Sequence, residues 1–286
     1  MPLTIPGVLV AEHPLTEGGH DDPAPVVFDS PHSGADYPQD FAFAAPFHVI
    51  RRAEDAFVDE LFAAAPGHGA GLLRALFPRS YVDPNRHEDE IDPKLLAEPW
   101  PDPVPHSPRA EKGLGVVRRL VRATVPVYDR PLTVAEIQAR IETYHRPYHR
   151  VLREMLDATH ARYGAAWHVN CHSMKSAYRG LPRDDFIIGD RDGTSCGQEF
   201  TAFVAETLRE LGYNVGLNRP FKGAEIVIRH GAPAHNRHSL QIEVNRALYM
   251  DEERIEKSEG FRALRVDIER LISRIVGFSR DRLPAP

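Results

Sequence analysis

At 286 residues, 42% of them hydrophobic and 27% charged, the chain has the composition of an ordinary soluble globular enzyme and the length to bury a substantial core. A formal net charge of −6 gives no electrostatic reason to expect nucleic acid, yet leaves room for the local cationic pocket that a small anionic substrate needs. Two cysteines, Cys171 and Cys196, exclude a disulfide framework and a four-cysteine zinc site and fit a reducing compartment.

The start of the chain has no basic flank and too short an apolar run for export, and no stretch approaches the roughly 20 apolar residues of a membrane span. A cytoplasmic protein with no membrane partner is therefore expected. Residues 1–24 read as an irregular lead-in, broken by Gly18-Gly19 and Asp21-Asp22-Pro23. A strand over 26–29 then runs into Ser30-Pro31-His32-Ser33-Gly34, so a rigid element presents an imidazole at its end. Helical spacing of Val49, Ala53, Ala56, Phe57 and Leu61 predicts a helix over 45–65, stopped by Pro66-Gly67. Short strands are expected over 72–77 and 80–82, the second delivering Asp83-Pro84-Asn85-Arg86.

The acidic, proline-rich run 87–108 reads as a long surface loop, a candidate lid, and 110–124 as a helix. Thr133 with Glu136 forms a capping box for a long helix reaching about residue 163, kinked near Pro147. A strand over 165–170 ends at Cys171-His172, and one over 186–188 leads into Gly189-Asp190-Arg191-Asp192-Gly193. An amphipathic helix over 198–211, closed by Gly212, is followed by strands over 214–217, 225–229 and 240–245. The terminal helix is placed over 251–278, with 279–286 as a loose tail. This alternation predicts an α/β sheet flanked on both faces, in one domain over 1–286.

Zinc hydrolases hold the metal through three protein ligands and keep a fourth position open. His32 and His172, each read at a strand end, supply two neutral imidazoles. The acidic pair Glu54-Asp55 offers a carboxylate, and adjacent helical positions point about 100° apart, so only one of the two can face the metal. Spacing alone does not choose between them. His168, four residues before His172, shares its face and reads as a packed or supporting residue.

Glu243 lies in the β-favouring run Leu240-Gln241-Ile242-Glu243-Val244-Asn245, whose alternation puts Gln241, Glu243 and Asn245 on one polar wall. A substrate carboxylate calls for arginine, and Arg86, Arg191 and Arg246 each follow a strand, with Lys222 in a nearby turn. Cys171 and His172 point to opposite faces, which argues against a cysteine hydrolase.

Seven motifs in order along nearly the whole chain resemble the N-formylglutamate amidohydrolase family. They are Asp29-Ser30-Pro31-His32-Ser33-Gly34, the stretch from Asp55 to Leu61, Val82-Asp83-Pro84-Asn85-Arg86, Asn170-Cys171-His172-Ser173-Met174, the run from Phe186 to Gly193, Phe221-Lys222-Gly223-Ala224, and the run from Gln241 to Met250. The chain departs from the family's usual tyrosine at Phe221.

The resemblance implies a three-layer α/β/α sandwich with a mixed central sheet, akin to zinc exopeptidases of the carboxypeptidase type. It implies one zinc ion (Zn2+) on His32, an acid and His172, and its aspartate six residues before a leucine favours Asp55 over Glu54. It further implies that Asn85 and Arg86 hold a substrate carboxylate, with Arg191, Lys222 and Asn245 on the substrate side and Glu243 as base and proton donor. The implied activity is hydrolysis of N-formyl-L-glutamate to formate and L-glutamate, a last step of histidine breakdown. The nearest alternative is a zinc-dependent deacylase or exopeptidase acting on another N-acyl amino acid.

Overall fold

The computed structural model describes residues 2–15, 20–122, 124–178, 181–182 and 184–283. Its centre is an eight-stranded sheet of β1 (Leu3–Ile5), β2 (Leu9–Glu12), β3 (Val26–Ser30), β4 (Gly71–Ala75), β5 (Ala166–Met174), β6 (Phe186–Gly189), β7 (Val215–Leu217) and β8 (Arg237–Asn245). The spatial order is β1-β2-β4-β3-β5-β8-β6-β7. The pairs β4/β3, β3/β5, β5/β8 and β6/β7 are parallel, while β1/β2, β2/β4 and β8/β6 are antiparallel, so the sheet is mixed. Helices cover both faces, which gives the expected three-layer α/β/α sandwich.

Alternation along β5 and β8 decides what each face meets. Trp167, Val169, Cys171, Leu240, Ile242 and Val244 pack into an apolar core beneath α2 (Gln198–Glu210) and α4 (Gly260–Arg280). The intervening side chains, His168, Asn170, His172, Gln241 and Glu243, are polar, buried, and face the other way. At the β3–β4 end that second face is covered by α1 (Arg146–Tyr163), whose Val151, Leu152 and Met155 pack with Val27 and Leu73. The capping box at Thr133 and Glu136 forms as expected, and the helix reaches Tyr163 by passing Pro147 through a π-helical turn over Ile141–His145.

Several elements differ from the sequence reading. The lead-in contributes β1 and β2, because Val8, Leu9 and Ala11 bury themselves beside β4; Gly18-Gly19 lie outside the described residues. The expected helix over 45–65 is two short ones, Phe47–Arg51 and Val58–Leu61, with Phe57 in the left-handed region at φ 66°. In an unbroken helix the Asp55 amide would reach the Arg51 carbonyl; here it donates to His32 O at 3.0 Å, and Ser33 Oγ donates to Asp55 O at 3.0 Å. No strand forms over 80–82, where the chain turns with Tyr81 N on Pro78 O.

The 110–124 region is a short helix, Pro108–Glu111, followed by a small ribbon of Leu120–Arg122 and Val125–Pro126. Residues 225–229 begin α3 (Glu225–His230) rather than a strand: Asn85 Oδ1 accepts the Ile226 amide at 3.0 Å and so satisfies a helix-start donor. The strand read over 165–170 continues to Met174, which puts His172 inside β5 rather than at its end. The terminal helix starts only at Gly260 and runs to Arg280, past the expected start of the tail; the last three residues lie outside the described ones.

Candidate metal centre

His32 follows β3, His172 projects from β5, and Asp55 lies in the gap between the two short helices. One ligand atom from each lies within 4.8 Å of the others. The Asp55 Oδ2 atom is 3.2 Å from His32 Nδ1 and 2.9 Å from His172 Nδ1, and the two rings stand 4.6 Å apart. All three residues are buried. Glu54, the alternative acid, turns away to Tyr37 and Arg51.

The far side of each histidine is also held. His32 Nε2 meets Asp83 Oδ1 at 2.7 Å; an ionised carboxylate only accepts, so Nε2 carries the proton and a neutral His32 turns a bare Nδ1 lone pair towards Asp55. His172 Nε2 lies 2.8 Å from Asn170 Oδ1 and 3.0 Å from Asn85 Nδ2. Asn170 in turn donates to Asp29 Oδ1 at 2.7 Å, which also meets His168 Nε2 at 3.0 Å. A lone pair aimed at a carboxylate oxygen needs a cation between them, and a donor set of two imidazole nitrogens and one carboxylate oxygen suits zinc. The residues therefore fit a divalent metal.

Electrostatics keep the acids ionised. Burial alone would raise the Asp55 carboxyl, but the His172 and His32 imidazoles against it and the Arg79 charge outweigh it and hold it well below the usual range. Asp83 behaves alike, burial being overcome by the charges of Arg79 and Arg86 and the hydrogen bond from His32. Burial pulls the His172 imidazole down, which favours the neutral form that a metal requires.

The triad opens into a cavity of about 640 Å³. Glu243 lines it beside His172, its register neighbour on β8, and accepts a hydrogen bond from Gln241 Nε2 at 2.8 Å. Arg86 and Arg191 line it as the sequence suggests. Lys222 lines it too, with its ammonium on Asp192 and half exposed. Asn85 reaches the cavity, but its amide already spans His172 and the start of α3.

Asn245 is not brought in: its carbonyl oxygen accepts the Ala247 amide at 3.0 Å and its amide donates to Asp184 O at 3.1 Å, which caps the end of β8. Three residues went unassigned in the sequence. Asp83 orients His32, Arg79 grips Asp83 through Nε and Nη2 at 3.2 and 2.9 Å, and Arg118 Nη2 reaches Asp83 Oδ2 at 3.1 Å. No local spacing in the sequence pointed to these roles. Arg246 also turns inward, donating to Asp55 Oδ1 at 3.0 Å.

Residues 24–250 match the family model described as N-formylglutamate amidohydrolase. The chain belongs to that family. Its fold is similar to the crystal structure of N-formylglutamate amidohydrolase from Ralstonia eutropha JMP134, with a TM-score of 0.90 and 42% identity over 96% of this chain and 99% of that one. Among curated proteins, N-formylglutamate deformylase of Pseudomonas putida is 29% identical over 208 residues, covering 69% of this chain and 71% of that protein. The deformylase of Pseudomonas aeruginosa is 28% identical over 240 residues, covering 80% and 83%. Among the described residues of this family member, no helix is long and apolar enough to cross a membrane.

Proposed function

We propose that the chain hydrolyses the formamide bond of N-formyl-L-glutamate to formate and L-glutamate, using one divalent metal ion, zinc by its donor set, held by His32, Asp55 and His172. The observation that carries this is the convergence of those three residues at a cavity wall shared with Glu243. Such an ion, when bound, supplies Lewis-acid chemistry that polarises a carbonyl oxygen and acidifies water. Glu243 takes a proton from the attacking water and delivers it to the amine nitrogen as the C–N bond breaks. Gln241 steadies the carboxylate for both transfers.

Arg86 anchors one carboxylate of the substrate, with Asn85 beside it and Arg191 and Lys222 on the approach to the other. Asn245 supports this wall through the end of β8. Within a cell the reaction belongs to the cytoplasm, as a late step of histidine breakdown. Metal analysis of purified protein coupled to formate release tests the reading. One equivalent of metal, loss of formate release on chelation and return on adding zinc are expected; formate release unchanged after complete metal removal sinks the scheme. Comparison with other N-acyl amino acids decides between formylglutamate and a broader deacylase.

A further inference from the structure

The cavity carries more positive charge than its own carboxylates neutralise. Arg86 is buried, yet its guanidinium meets only the backbone oxygens of Leu114 at 3.1 Å and Asn85 at 2.6 Å, and it forms no ion pair among the described residues. Arg118 is buried as well. Its one carboxylate, Asp83, is already forked by Arg79, and its own Nε has no hydrogen-bond partner among the described residues. Arg109 lines the same space, exposed, and makes no ion pair among the described residues.

Burial pushes Arg86 down to about 10 and Arg118 down to about 9, with neighbouring arginines adding to both shifts. Glu90, whose charge also acts on Arg86, is occupied by Ser107 Oγ at 2.8 Å and the His87 amide at 3.1 Å. Buried guanidinium groups left short of anions are costly, and an arriving carboxylate removes that cost. The geometry of Arg118 is also set in advance. Val116 and Val117 are buried, the Val116 amide donates to Glu90 O at 2.9 Å, and the Asp83 amide donates to Val116 O at 2.7 Å.

We propose that Arg118, with Arg109 lining the same cavity, receives a substrate carboxylate together with Arg86, and is a specificity-determining residue for dicarboxylic N-acyl amino acids, resting for that substrate class on the hydrolysis proposed above. Asp83 does not need Arg118 for neutralisation, since Arg79 already supplies it. The segment between Pro108 and Leu120 thus contributes to recognition, although it carries none of the groups that hold the metal or move the proton.

The test compares wild type with Arg118→Met and Arg109→Gln on three substrates: N-formyl-L-glutamate, N-formyl-L-glutamine, which lacks the side-chain carboxylate, and N-formyl-L-isoglutamine, which lacks the α-carboxylate. Arg118→Met should lower kcat/KM for the diacid by roughly 100-fold, and the loss should vanish on whichever monoamide lacks the carboxylate that Arg118 holds. Arg109→Gln should show a smaller loss with the same substrate dependence. Equal losses on all three substrates, or none on the diacid, overturn the proposal.

Should the methionine variant fail to fold, Arg118→Lys keeps the charge beside Asp83 but loses the planar fork, and should show a reduced loss with the same dependence. Calorimetry with glutarate and butyrate separates recognition from catalysis. A wild type inactive on every formyl substrate, whose glutarate affinity still falls at least tenfold on Arg118→Met, refutes the hydrolysis and keeps Arg118. Glutarate affinity unchanged by the substitution removes Arg118.

Discussion

The two faces of the paired strands Ala166–Met174 and Arg237–Asn245 differ in what they contribute. On one face Trp167, Val169, Cys171, Leu240, Ile242 and Val244 pack into an apolar core against two helices. On the other, a single residue away along the chain, Asn170, His172, Gln241 and Glu243 form a buried polar layer: His172 meets Asp55 and Asn170, Asn170 meets Asp29, and Gln241 meets Glu243 at the cavity. The apolar face holds the sheet together by area removed from water, about 25 cal/mol per Å². The polar face gains little stability from its hydrogen bonds, since each replaces one to water, but it fixes the proposed ligands and base in place. Stability and chemistry are therefore separable across one strand, which substitutions at neighbouring positions can test.

The largest effect is expected at Glu243. Glu243→Gln leaves the shape and removes the proton acceptor, so kcat should fall roughly 1000-fold, about 4 kcal/mol, with the melting temperature nearly unchanged. Steady-state formate release and a thermal scan measure both, and a variant retaining full turnover would end Glu243's role as base. Next comes the adjacent residue on the opposite face. Ile242→Ala should lose about 3 kcal/mol in urea unfolding through the cavity it leaves, with metal affinity intact.

Asp83→Asn should weaken metal binding about 10- to 100-fold, because the amide no longer fixes the His32 tautomer as a carboxylate does. Competition with a chromogenic chelator reads this directly, and unaltered affinity would reduce Asp83 to a scaffold residue. The smallest effect is a slope with pH. Burial pushes His230 down to about 3, whereas an unfolded imidazole takes up a proton near pH 6.5. The folded state then binds fewer protons than the unfolded one between those values. Its stability is full above about pH 6.5 and falls as pH drops towards 3. Urea titrations should show a shallower fall for His230→Asn, and parallel curves for the two proteins would remove His230 from the account.

Much of this was legible one residue at a time. Apolar runs marked β3, β5, β6 and β8, and the Thr133–Glu136 box marked the long helix. Alternation correctly set Cys171 apart from His172, and the deep burial that pushes the Cys171 thiol well up agrees with an inert packing residue. Where the reading failed, the deciding interaction came from far along the chain. Ile226-Val227-Ile228 carries strand-favouring residues, but Asn85, 141 residues away, starts a helix there. The helical period across Glu54-Asp55 is genuine, yet the His32 carbonyl captures the Asp55 amide and breaks it. Arg79, Asp83 and Arg118 had no periodic signal, since their meaning lies in sharing one carboxylate across turns.

The sequence by itself determined the chemistry available: two histidines beside strand-forming runs, an acidic pair, a glutamate on a polar stripe, and arginines near strand ends. It also determined the family, because ordered motifs survive wherever local geometry and chemistry coincide. Only the tertiary structure brought Asp55, the acid that the family resemblance favoured, against the histidines, and decided that Asn245 caps a strand end outside the cavity and that the segment carrying Arg109 and Arg118 lies against it. Those outcomes depend on distances between residues remote in sequence. Burial and hydrogen-bond satisfaction are settled there by the whole fold at once, and no local period or propensity encodes them.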